Sequence, residues 1–231
     1  MRHTLKHGPT MGTLEIELEP GDTLTAEAGA LVMRTPQVVM TTHLNASPRA
    51  GFFGAIAAFF VALVRRVVGG DTFLVNRFRT PSPARLTFAP TMSGELVHRT
   101  LRGEALILRA GAFLASSGDL DLRVRWAGLR GLFGKQGLFF VQVSGQGDVW
   151  FSSYGAIEEI EVDGRYIIDN GHVLAFEPTL NYQLKSAGSG VLGFVASGEG
   201  LVLEFQGRGK VLVQTRNVEA LVGWLTPLLP G

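Results

Sequence analysis

The chain has no cysteine, which removes disulfides and thiolate metal sites together. Charge is scarce. Asp, Glu, Lys and Arg make up 18% of the residues, against roughly 25% in an ordinary globular protein. The formal net charge is +1, so no global field draws the chain toward nucleic acid or an anionic membrane. The five histidines, His3, His7, His43, His98 and His172, never fall into H-x-H or H-E-x-x-H spacing. His172 and Glu177 are five apart, an odd spacing that puts them on opposite faces of a regular strand. No G-x-x-x-x-G-K-[ST] phosphate loop and no G-x-S-x-G nucleophile elbow occurs. These absences lead to the expectation of no catalytic residue, no cofactor and no metal, and so of a protein that is not an enzyme.

Long apolar runs are also missing. The uncharged stretch at residues 51–64, GFFGAIAAFFVALV, would make a helix of about 21 Å. A bilayer core is about 30 Å thick, so the stretch is too short to span as one helix. It can be a buried connector, a subunit interface, a shallow membrane contact or a pocket wall. In the membrane reading Phe52, Phe53, Phe59 and Phe60 insert, and Arg65 and Arg66 sit at headgroup level. The N-terminus, MRHTLKHGPTMG, lacks the apolar core of a secretion signal, and a cytoplasmic location is expected.

What the chain has in excess is glycine: 30 of 231 residues, nearly twice the usual ~7%. The glycines recur in register. Residues 137–153, GLFFVQVSGQGDVWFSS, align with residues 200–215, GLVLEFQGRGKVLVQT, around two pairs: Gly145 with Gly147, and Gly207 with Gly209. GDTLTAEAGALV, GEALILRAGAFL and GRYIIDNGHVLAF share a second pattern, marked by Gly21 and Gly29, Gly103 and Gly111, and Gly164 and Gly171. Each glycine is expected to mark a turn between strands. A weaker version at residues 70–90 has prolines in place of Gly-x-Gly. The pattern predicts one all-β domain over residues 1–231, with three internal repeats at about 1–95, 96–155 and 156–231.

Between the glycines the strand signal is strong. Leu14, Ile16 and Leu18 alternate with Glu15, Glu17 and Glu19, giving one buried and one solvated acidic face. In residues 119–126, DLDLRVRW, apolar residues alternate with charges of both signs, a pattern expected to form cross-strand pairs. Residues 138–143 are apolar on both faces, so both faces should be covered. The basic residues Arg99, Arg102, Arg109, Arg123, Arg125, Arg130 and Lys135 cluster in sequence, and a polyanion site requires that they cluster in space. Residues 217–229 read as a helix capped by Asn217, with Leu221, Val222, Leu225, Leu228 and Leu229 as an apolar stripe.

The run SSYGAIEEIEVDGRYIIDNGHVLAFEPT, the opening LEPGDTLTAEAGALV and the closing VLVQTR resemble the "altered inheritance of mitochondria" family of mitochondrial-biogenesis proteins and their bacterial members. The resemblance covers nearly the whole chain. It implies an all-β fold of three pseudo-repeated antiparallel sandwich units, similar to the tryptophan-RNA-binding attenuator protein. It implies no catalytic residues. The function expected is a non-catalytic scaffold that self-associates, with a trimer as the closed ring. A binding module for a small molecule or nucleic acid, by analogy with the attenuator fold, is the alternative. A further protein partner and peripheral membrane contact through residues 51–64 complete the set.

Overall fold

Period-two alternation makes the first elements. In Thr13–Leu18 every second residue is buried, and Thr23–Glu27 repeats the pattern. The computed structural model describes residues 1–44, 74–126, 139–187 and 201–229. Within them lie fourteen strands, named in chain order: β1 Arg2–Lys6, β2 Thr13–Leu18, β3 Thr23–Glu27, β4 Leu31–Arg34, β5 Val39–Leu44, β6 Leu74–Arg79, β7 Ala84–Phe88, β8 Leu96–Arg109, β9 Phe113–Trp126, β10 Phe139–Ser152, β11 Ile157–Asp169, β12 Val173–Phe176, β13 Asn181–Ser186 and β14 Leu201–Gln214. One α-helix, α1 Val218–Leu225, follows. The all-β class expected from the sequence is observed among these residues. One sheet runs β1-β2-β7-β4. The other runs β11-β14-β12-β8-β10-β9-β3-β6-β5, with β13 also on β14.

Five strands are unusually long, at 13 or 14 residues, and the glycines explain how they fit. Arg109 pairs with Phe140, while Phe113 pairs with Phe151. Arg109 and Phe113 are four residues apart, so they lie within about 14 Å of each other. Residues 140 and 151 on a straight strand would be about 36 Å apart. Strand β10 must therefore bend sharply. Gly145 and Gly147 sit at the bend with φ of 123° and 156°, next to a register shift between Ser144 and Gln146.

The expectation that these glycines separate strands is corrected here. Gly145 and Gly147 lie inside β10, Gly103 inside β8, Gly164 inside β11, and Gly207 and Gly209 inside β14. A glycine within a strand bends it while the ladder continues. Gly209 departs furthest from the turn expected of it. It pairs with Val162 in an unbroken register, and its backbone has no positive φ. What it supplies is room: a Cβ there would lie 2.7 Å from Thr179 Oγ1 and 2.9 Å from Glu177 Oε2. Gly21 and Gly29 lie in turns as expected, and Gly111 and Gly171 lie in one-turn 3-10 segments.

One pairing order recurs along the described strands. β10 lies between β8 and β9. β14 lies between β11 and the β12/β13 pair. In the first segment the path is split in two: β7 lies between β2 and β4, and β6 between β3 and β5. Three of the ladders also carry a bulge. The ladder skips Val32 between Leu31 and Met33, Leu114 between Phe113 and Ala115, and Leu174 between Val173 and Ala175.

Apolar side chains collect in three clusters. The first holds Leu14, Phe78, Phe88 and Trp150. The second holds Phe113, Val141, Val143 and Phe151, and the third Phe140, Phe176 and Phe205. The doubly apolar stretch in β10 is covered on both sides, as its composition predicts. Val141 and Val143 enter the second cluster, while Phe140 enters the third, edge-on to Phe176 at 5.1 Å. Helix α1 begins at Asn217, whose Oδ1 accepts from the Ala220 N–H. It is shorter than expected: α-helical geometry ends at Leu225, and Thr226–Leu228 tighten into a 3-10 turn around Pro227, a residue that cannot donate to an α-helical ladder.

Candidate functional site

Titratable and aromatic side chains come together where β1 meets β8 and β10. On β8 and β10, His98 is directly opposite Trp150 and Thr100 opposite Asp148, so period two puts all four on one face. The His98 ring stacks on Trp150 at 5.2 Å and 20°. Asp148 Oδ1 lies 2.8 Å from His98 Nε2 and accepts from the Thr100 hydroxyl at 2.7 Å. From the other sheet, β1 brings His3 to 4.2 Å from His98 and to 5.2 Å, edge-on, from Trp150. Trp150 is fully buried, and its indole N–H has no partner among the described residues.

Electrostatics follows from this geometry. Burial, then the neighbouring His98 imidazole, lowers the His3 pKa, and the Asp148 carboxylate offsets part of the effect. For Asp148, burial pushes upward, but the hydrogen bonds from Thr100 and His98 outweigh it and hold the carboxyl below its usual range. The Thr100 hydroxyl donates to Asp148 and not to an imidazole, so the group contains no base-activated nucleophile of the kind acyl transfer needs. An open cleft beside it is lined by Arg2, His3, Thr4, Glu15 and Glu17. Its charges neutralise one another: Arg2 and Arg85 pair with Glu17, and Lys6 with Glu15. The acidic face of β2 is thus an ion-paired surface. Among the described residues no three His, Asp or Glu side chains are placed to hold a metal ion.

A second polar cluster is structural. Glu204, 1% exposed on the central strand β14, accepts from Lys185, Arg165 and Gln206. The hydrogen bond from Lys185 leads the effects that lower its pKa. A third ties α1 to the body. Arg109 donates to the Asn170 carbonyl and pairs with Glu219. Gln214 Nε2 donates to the Gly171 carbonyl, and His172 Nδ1 lies 2.7 Å from the Gln214 carbonyl. His172 is thus a turn residue bonded to the backbone.

Of the basic residues clustered in sequence, three are held in ion pairs, while no salt bridge involves Arg102 or Arg125 among the described residues. Arg99 pairs with Glu159, Arg109 with Glu219 and Arg123 with Asp121. The Arg123 pair runs along one strand, not across strands as expected. Arg130 and Lys135 lie outside the described residues, as do Phe52, Phe53, Phe59, Phe60, Arg65 and Arg66. The sequence reading missed the His3–His98 encounter because the two are far apart in the chain and on different sheets. It also missed a short signal that joins the segments. Pro9-Thr10-Met11-Gly12 and Pro90-Thr91-Met92-Ser93-Gly94 are near-copies, and with Gly155 they meet through parallel bridges, Met11 to Gly94 and Gly94 to Gly155.

With the fold in view, the chain can be compared with known proteins. The family described as mitochondrial biogenesis AIM24 matches residues 3–216. The chain belongs to this family. An uncharacterized protein of Streptococcus pyogenes serotype M6 is 30% identical over 233 residues, covering all of this chain and 92% of the relative. A crystal structure of a Streptococcus pyogenes protein superposes with a TM-score of 0.80 at 29% identity, covering 99% of both chains. Among the described residues of this AIM24 member, no helix is long and apolar enough to cross a membrane.

Proposed function

We propose that this protein is a non-catalytic, self-associating β-scaffold built from three pseudo-equivalent units. The common strand order and the bulge repeated at Val32, Leu114 and Leu174 support the repeat, and an attenuator-like body belongs to the same reading. The observation that carries self-association is apolar surface left in water. Helix α1 and the turn after it bury no residue, and Trp224 is 66% exposed beside exposed Val222, Leu225, Leu228 and Leu229. Large apolar patches on a folded surface mark contact sites, and each such side chain gains about 1.5–3 kcal/mol on burial. The carboxylates of Asp148 and Glu204 are engaged by neighbouring donors, which favours a scaffold over an enzyme. The ion pairs of Arg99, Arg109 and Arg123 weigh against the nucleic-acid alternative.

Sedimentation velocity across a range of concentrations tests the proposal. A closed oligomer is expected at micromolar concentration, with a trimer the preferred ring. A protein that stays monomeric at high micromolar concentration overturns it.

A further inference from the structure

Two junctions between the units are closed by the same strand pairing, in the same register. Between the first and second units, Ala26 on β3 faces Ala115 on β9, and Thr25 faces Ser116. Between the second and third, Leu108 on β8 faces Ala175 on β12, and Ile107 faces Phe176. Counted from the glycine of each crossing turn, Gly29, Gly111 or Gly171, both junctions join the residue three before one glycine to the residue four after the next. Applied once more, the rule joins Ile168 on β11 to Met33 on β4, and Ile167 to Arg34. That third junction is absent among the described residues of the chain: β11 pairs there only with β14, and β4 only with β7.

Burial shows what the missing partner leaves uncovered. At the closed junctions the bulged residues Leu114 and Leu174 are 0% and 1% exposed; Val32, their counterpart, is 59% exposed. Met33 stands at 58%, where Ala115 and Ala175 are at 0%, and Ile167 at 53%, where Ile107 is at 4%. Edge strands are usually guarded by charge. The first half of β11 is guarded, by Glu158, Glu159, Glu161 and Asp163. The part that the rule assigns to β4 is not, and neither are Val32 and Met33.

We infer that β11 of one copy pairs with β4 of a second copy, in the register Ile168 to Met33, continuing between chains the junction that is used twice within each chain. The inference rests on the self-association reading and adds a surface to it, separate from α1. The contact is heterologous, with two different edges meeting, so it builds a closed ring or an open fibre according to the rotation between copies.

The absence of native cysteine makes a clean test. Residues opposite each other in an antiparallel pair have Cα atoms about 4.5–5.5 Å apart, within disulfide reach. Arg34→Cys and Ile167→Cys are made in separate full-length chains, mixed and oxidised. A covalent dimer on a non-reducing gel is expected from this mixture. None above background is expected when Arg34→Cys is mixed with Glu161→Cys, an exposed site off the register. Equal dimer in both mixtures overturns the inference. So does a doubly substituted chain that oxidises wholly to an internally cross-linked monomer, which would mean closure within one chain. An oligomer by sedimentation with no cross-link in register overturns this surface while the scaffold reading stands. A monomer by sedimentation overturns both.

Discussion

Glu27 and His3 make stability depend on pH in opposite directions. Burial raises the Glu27 carboxyl from 4.5 to about 7. The folded state therefore holds a proton that the unfolded chain has already released above pH 4.5, and folding weakens as pH rises from about 4.5 to 7. Glu27→Gln removes the ionisable group. Its stability should match wild type near pH 4 and exceed it at pH 8, by a difference of about 3 kcal/mol. His3 has the other sign. Its pKa is lowered in the fold, so the unfolded chain takes up the proton first as pH falls below 6.5, and stability drops with acidification. His3→Gln should flatten that loss between pH 7 and 5. Thermal melts at several pH values measure both. An unchanged pH slope in the histidine variant would place the acid sensitivity elsewhere.

At the scale of elements, the glycines divide by what surrounds them. A Cβ on Gly145 would lie 2.2 Å from the Asp119 carbonyl oxygen, on a backbone with φ of 123°. Gly111 has no atom within 4 Å of the same position and no positive φ. Gly145→Ala should therefore cost about 3 kcal/mol or more, from strain and a backbone clash together. Gly111→Ala should stay within about 0.5 kcal/mol of wild type. Chemical denaturation of the two variants checks this. Position in the sequence pattern does not separate these glycines, because both recur in register. The pattern shows where the chain changes direction, and only the ladder shows that Gly145 bends a strand without ending it. The strand faces were legible for a local reason. Leu14, Ile16 and Leu18 are all fully buried because side-chain alternation needs nothing beyond neighbouring residues. The Asn217 cap was legible for the same reason.

Long-range geometry was not legible, and at the scale of the molecule it decides the contacts. His3 reaches His98 only because β1 is the outer strand of one sheet and β8 an inner strand of the other. The pairing of β12 with β8 is likewise set by assembly of the whole chain. Composition could say that the chain is rich in apolar residues. It could not say that Leu228 would lie on an exposed turn and Phe140 in a core. If the exposed residues of α1 meet another copy, association must be linked to folding. The melting temperature then rises with protein concentration, because only the folded state assembles. Trp224 is exposed on a helix that buries no residue, so in dilute solution Trp224→Glu should unfold within about 0.5 kcal/mol of wild type. At high concentration it should melt well below wild type, because the association that stabilised the wild type is weakened. Differential scanning calorimetry at two concentrations differing about a hundredfold separates the cases, since mass action at that ratio shifts stability by about 2.7 kcal/mol. A wild-type melting temperature independent of concentration would remove α1 from the interface. A variant unstable even when dilute would show that the indole supports its own fold.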